Sequence, residues 1–291
     1  MIKGSIVALI TPFDDENKIN YNELFKLLDF HINNGTDGLL LLGTTGEPES
    51  LTDCEKREFV EKCIDYLQGR IKVMVGLISN IPERVIELSR LFEGLDIDSF
   101  LVTGPFYIKS NDSGLIKYFT YIADHISKPL IIYNVPKRTG FNISVEVVNV
   151  LSYHNNIIGI KEASGDLVYL SKIAVICRNS FVLYGGDDLT MIPALVMGAS
   201  GIISVINNAF PKEVKTIIDC VNKDISISKC LFFKIFKLIE DIFIEVSPIP
   251  IKYLMYVCGF NTVKLRMPLA NPSIELRRKI EEDYLEIVGE E

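Results

Sequence analysis

The chain has 291 residues, of which 48% are hydrophobic and 23% charged, a balance that suits a large packed core and argues against disorder. Thirty Lys and Arg against 38 Asp and Glu leave a net charge of −8 with no basic cluster, so a nucleic-acid backbone is excluded as the partner. The apolar stretches are too short to span a bilayer, and six cysteines without a C-x-x-C pair read as reduced thiols, so the expectation is a cytoplasmic protein with no membrane partner.

Eight short apolar runs follow one another along the chain, at 6–10, 38–42, 73–77, 99–102, 130–133, 157–161, 181–184 and 201–205. Each is too short for a helix and almost wholly apolar, and the run that ends at Lys161 is also rich in β-branched residues, as buried strands are. The stretches between them carry helix signals. Asn20 precedes Tyr21-Asn22-Glu23 and Thr52 precedes Asp53-Cys54-Glu55, both in the capping-box pattern, and Asn34-Gly35 is a left-handed stop. Continuous apolar strands alternating with amphipathic helices predict a parallel sheet covered on its outside. Eight such units predict a (β/α)₈ TIM barrel, with a doubly wound open sheet as the alternative. After Pro211 the strand signal stops. The expected division is a barrel over 1–224 and a small helical appendage over 225–291, the latter broken at Pro248, Pro250, Pro268 and Pro272.

A barrel carries its chemistry at the carboxyl ends of its strands, so the residues after each run are the candidates. Run two leads into Gly43-Thr44-Thr45-Gly46-Glu47, a tight turn with two hydroxyls and free N–H groups able to meet a small anion. Run four leads into Thr103-Gly104-Pro105-Phe106-Tyr107, which puts a phenol on the rim. Run five ends at Tyr133 and continues as Asn134-Val135-Pro136-Lys137-Arg138-Thr139-Gly140, where a guanidinium is placed to grip a carboxylate. Run six ends at Lys161, 28 residues after Tyr133, the spacing of one strand-plus-helix repeat. Neighbouring strands lie about 4.8 Å apart, so the amine and the phenol can share one small substrate. Runs seven and eight bring Gly185-Gly186-Asp187-Asp188 and Ile202-Ile203-Ser204 to the same rim.

Lys161 is the centre of this set. Only a neutral amine attacks a carbonyl, and at a pKa of about 10.4 roughly one lysine in a few thousand is neutral at pH 7. Burial at a strand end removes that obstacle by disfavouring the charge. Amine, phenol, hydroxyl relay and arginine together make a site for Schiff-base chemistry on a 2-oxo acid. His31 and His125 fall in helical stretches and His154 precedes run six, so a histidine metal centre at the strand ends is not expected.

In order and content, the Gly43–Glu47 turn, the Tyr133–Gly140 segment and Gly159-Ile160-Lys161-Glu162-Ala163 resemble the dihydrodipicolinate synthase/N-acetylneuraminate lyase family of class I aldolases. The resemblance runs from Gly4 to the Pro248-Ile249-Pro250-Ile251-Lys252 segment. It implies Lys161 as the imine-forming residue, Tyr133 as its acid/base, and Thr44 as a link from Tyr133 to Tyr107, which would reach across from a second subunit. It further implies Thr45 on the pyruvate carboxylate, Arg138 on the second substrate, and Gly186 and Ile203 as backbone carbonyls around the lysine. Arginine at 138 is usual in the dihydrodipicolinate synthases and usually missing from the N-acetylneuraminate lyases and 2-keto-3-deoxygluconate aldolases, the alternative members. The implied reaction is therefore condensation of pyruvate with L-aspartate 4-semialdehyde to 4-hydroxy-tetrahydrodipicolinate, in diaminopimelate and lysine biosynthesis. No metal or organic cofactor is implied, and the implied assembly is a homodimer at least, with homotetramers common among relatives. Two departures stand out. Gly76-Leu77-Ile78-Ser79-Asn80 replaces the more usual Gly-Thr-Gly-x-Asn, and Asp53, Lys56 and Phe106 stand where lysine-inhibited members carry histidines and a tyrosine. Weak or absent inhibition by lysine is the expectation.

Overall fold

In the computed structural model, which describes residues 1–289, the eight apolar runs become eight parallel strands joined in sequence order into a closed barrel. Residues 290 and 291, the last two of the expected appendage, lie outside the described residues. The elements run β1 (Gly4–Ala8), α1 (Tyr21–Asn33), β2 (Gly38–Leu41), α2 (Asp53–Leu67), β3 (Lys72–Leu77), α3 (Pro82–Arg90), β4 (Ser99–Thr103) and α4 (Asp112–His125). They continue as β5 (Leu130–Asn134), a single turn α5 (Pro136–Thr139), α6 (Val145–Leu151), β6 (Ile157–Glu162), α7 (Leu167–Ile176), β7 (Val182–Gly185), α8 (Met191–Val196), β8 (Gly201–Ser204) and α9 (Pro211–Cys220). Helices α10 (Ile225–Asp241), α11 (Ile249–Val257) and α12 (Ile274–Val288) follow the barrel. Closure leaves no sheet edge, and β1 pairs with β8 through Gly4–Gly201 to Val7–Ser204. This is the (β/α)₈ TIM barrel with C-terminal helices that the periodicity predicts.

The local signals work as chemistry requires, with two instructive differences. Thr52 and Glu55 form a complete capping box at α2. At α1 only half of the box forms: the Asn20 side chain accepts from the Glu23 N–H at 3.1 Å, but the Glu23 carboxylate turns away to accept from the Asn261 N–H at 2.9 Å. A contact 238 residues distant in sequence wins over the local one. The first strand also lies earlier than the run at 6–10 suggests. Leu9 and Ile10 stay fully in the core, yet Ile10 N–H donates to the side-chain oxygen of Asn208, so burial continues where the strand has ended.

The last helices are fastened to the barrel's carboxyl end. The Arg266 guanidinium grips Glu55 at the start of α2 with two contacts of 2.5 and 3.0 Å, and also donates to the carbonyls of Ser50 and Asn17. That guanidinium holds the Glu55 carboxyl down to about 2. All six cysteines are free, and among the described residues no helix is long and apolar enough to cross a membrane.

Candidate active site

Strands β5 and β6 pair with Tyr133 directly opposite Lys161. Successive side chains alternate across a strand, so both residues aim into the barrel while Asn134 and Glu162 beside them aim outward. The lysine is only 4% exposed, and its Nζ lies 4.5 Å from the centroid of the Tyr133 ring. Desolvation pulls its pKa from 10.5 to about 7; the Arg138 cation pushes the same way and the buried Asp188 carboxylate opposes it. Near pH 7 about half of the amine is thus free to act as a nucleophile. Room for its stem exists because residue 186 is glycine: a Cβ there would sit 2.7 Å from Lys161 Cε.

Burial raises the Tyr133 phenol above its usual 10, and Arg138 together with a hydrogen bond from Thr44 works against the rise. The phenol therefore keeps its proton at neutral pH yet has a hydroxyl partner through which that proton can move. Thr44 and Thr45 belong to the short 3₁₀ turn at 44–46 that follows β2. On the opposite rim the Arg138 guanidinium donates to the Ser247 carbonyl at 2.7 Å.

These groups surround one cavity of about 300 Å³, lined by Ala8, Leu40, Thr44, Thr45, Tyr133, Val135, Lys137, Arg138, Lys161, Ala163, Gly186, Asp187 and Val205, with residues 243–247 forming the far wall. Of the residues singled out in the sequence, Lys161, Tyr133, Thr44, Thr45, Arg138 and Gly186 meet here. Ile203 lies wholly buried within β8, paired with Ile6, and Val205 two residues later lines the cavity. Tyr107 stands apart at 92% exposure with a left-handed φ of +64°, its ring turned away from its own chain. The histidines are elsewhere, His31 wholly buried in α1, His125 at the end of α4 and His154 against Asp124.

Several supporting residues stand in the segments singled out in the sequence but carry no role there. Asn134 donates to Glu162 at 2.6 Å and accepts from the Ile143 N–H at 3.1 Å, and Glu162 also accepts from the Ser164 N–H at 2.7 Å. This buried network clamps β5 to β6 directly behind Tyr133 and Lys161. Asn134 and Glu162 repeat the 28-residue spacing of Tyr133 and Lys161, a signal present in the sequence. Asp188 accepts from the N–H groups of Val205 and Ile206 at 2.9 and 3.1 Å, and burial lifts its carboxyl to about 6. Nothing local marks the wall at 243–247, which reaches the cavity only because the last helices fold back.

Comparison with known proteins bears on the family and the fold. Over 270 residues the chain is 40% identical to the 4-hydroxy-tetrahydrodipicolinate synthase of Clostridium perfringens, covering 92% of each protein. Its structure superposes on the dihydrodipicolinate synthase of Aquifex aeolicus with a TM-score of 0.94 at 35% identity, covering 99% of this chain and 98% of the other. The enzyme from Acinetobacter baumannii, solved with pyruvate, matches with a TM-score of 0.95 at 32% identity over 99% of both chains. A family model, that of the dihydrodipicolinate synthetases, matches residues 1–286. With its buried lysine and phenol in register at the mouth of the barrel, the chain belongs to the dihydrodipicolinate synthetase family.

Proposed function

We propose that the chain acts as a 4-hydroxy-tetrahydrodipicolinate synthase, joining pyruvate to L-aspartate 4-semialdehyde through a Schiff base on Lys161. The observation that carries this reading is the pairing of Lys161 with Tyr133, inside a cavity whose rim holds Thr45 on one side and Arg138 on the other. The neutral Lys161 amine attacks C2 of pyruvate, and Tyr133 supplies the proton that lets the C2 oxygen leave as water. The resulting iminium draws electrons from C3, a C3 proton leaves, and the enamine carbon adds to the aldehyde of the second substrate. The amino group of the second substrate then attacks C2 and displaces the Lys161 amine, which closes the ring of the product and frees the lysine, so that the one water lost is the C2 oxygen of pyruvate. Thr45 binds the pyruvate carboxylate, Thr44 passes protons to and from Tyr133, and Gly186 leaves the lysine room to swing. Arg138 receives the carboxylate of the aldehyde substrate with two parallel hydrogen bonds.

The phenol of Tyr107 completes the relay from a second copy. Its exposure, its left-handed backbone and the adjoining exposed Ile108 support that role, since no group of its own chain holds the ring. The working unit is accordingly a homodimer at least. We take residues 1–224 as the catalytic barrel and 225–291 as the helical appendage that closes the cavity, and the cytoplasm as the site of action.

Reduction with borohydride in the presence of pyruvate tests the mechanism. A stable adduct should form and peptide mapping should place it on Lys161; full turnover without an adduct would refute the reading. Competition between aspartate semialdehyde and N-acetylmannosamine or glyceraldehyde as the second substrate tests the specificity assigned to Arg138.

A further inference from the structure

The turn that carries Thr44 and Thr45 is flanked by two residues in an unfavourable conformation. Leu42 and Glu47 both have φ of +53°, in the left-handed region that long side chains occupy only when their surroundings impose it. At Glu47 the imposing force is a buried charge pair. Its Oε1 accepts from Lys252 Nζ at 2.7 Å with both side chains shut away from solvent, and its Oε2 accepts from the Arg266 N–H at 3.2 Å. The ammonium also lies 4.4 Å from the centre of the Phe13 ring. Thr11 fixes the same turn from beneath, its hydroxyl donating to the Gly46 carbonyl at 2.7 Å. Lys252 stands on α11, and the residues leading into that helix include Ser247, whose carbonyl receives Arg138. One side chain of the last helices is therefore tied to the turn on one rim of the cavity and sits on the helix that anchors the other.

A buried ion pair is a poor device for stability alone, because apolar groups of similar size often serve as well without the cost of desolvating two charges. What it supplies is direction: a short, charge-assisted bond holds two backbones at a set distance. We propose that Glu47 and Lys252 are positioning residues for the reaction, a buried ion pair that holds the Thr44 and Thr45 hydroxyls in line with Lys161 and Tyr133. Through α11 the same pair sets the Ser247 carbonyl against Arg138. The proposal rests on the roles given above to Thr44, Thr45 and Arg138.

The test compares the wild type with Glu47→Gln, Lys252→Met and the double variant, by thermal unfolding, by kcat/KM for pyruvate, and by adduct formation with borohydride at saturating pyruvate. Each single variant leaves an unmatched charge or polar group in the interior and should melt earlier. The double variant has no charge left at this pair and should recover part of that loss. Its kcat/KM should nevertheless stay down by about 10²-fold, the scale of a misplacement of the order of 1 Å, while the adduct still forms at saturation. Catalysis that returns to wild-type values in the double variant, or that simply follows the melting temperature across the four proteins, would overturn the proposal. If Lys252→Met does not fold, Glu47→Gln decides alone: unchanged kinetic constants would overturn it, and a raised KM for pyruvate in a folded protein would support it. A wild type that gives no adduct would remove the Schiff-base reading itself, and this proposal with it, an outcome distinct from any seen only in the variants.

Discussion

Replacing Lys161 with methionine should make the protein more stable, and by an amount that depends on pH. A pKa pulled from 10.5 to about 7 means that the buried site prefers the neutral amine by ~5 kcal/mol. Below pH 7 the lysine is charged in both folded and unfolded chains, and folding bears the whole of that cost. Between pH 7 and 10.5 the folded site has lost its proton while the unfolded chain keeps it, so wild-type stability rises with pH. Above 10.5 the two states no longer differ. Methionine fills similar space, with no proton to lose. The advantage of Lys161→Met should therefore be about 5 kcal/mol near pH 7 and shrink to about 2 kcal/mol at pH 9. Asp188, which titrates near 6, makes pH 7 the sensible lower end of the comparison. Urea unfolding of both proteins at pH 7, 8 and 9 without pyruvate, compared through their extrapolated stabilities, measures the difference directly. An advantage that is equal at pH 7 and 9 would show that packing, and not the buried charge, separates the two proteins.

Tyr133→Phe should keep the fold and lower turnover by roughly 10²- to 10⁴-fold, the usual contribution of a placed acid/base, with initial rates under saturating substrates as the measure. Tyr107→Phe should lower turnover on the same scale although the residue is 92% exposed on its own chain; an unchanged rate would remove the proposed shared relay. L-Lysine should inhibit weakly or not at all. Asp53 is already held by Arg84 through two contacts of 2.6 Å, the Asn80 side chain already accepts from the Phe106 N–H at 2.8 Å, and Lys56 adds a cation. Half-inhibition at submillimolar lysine in an initial-rate assay would contradict that expectation.

Much of this protein was legible in its sequence because the relevant signals are local. Eight short apolar runs separated by amphipathic stretches can satisfy their backbone and bury their apolar faces in few other ways, so the barrel followed from periodicity. The 28-residue interval between Tyr133 and Lys161 placed them on neighbouring strands, because one repeat advances one strand around the barrel. Burial at the end of β6 already implied a lysine with a weakened hold on its proton.

Other features depend on how the barrel closes and on where the last helices return, and no short window of residues encodes that. Glu23 leaves its capping box for Asn261, Glu47 finds Lys252 across 205 residues, and Arg138 finds Ser247 across 109. Residues 243–247 become a cavity wall although their composition marks them only as the break between two helices. Strand ends say which residues stand near the mouth of a barrel; the rotation of each strand and the packing of the returning chain decide which of them face one another. The sequence alone thus determined the scaffold and the pairing of Tyr133 with Lys161, because hydrogen bonding and burial act over neighbouring residues. The tertiary structure alone decided the shape and charge of the site around that pair, because contacts between distant segments exist only once the chain has closed on itself.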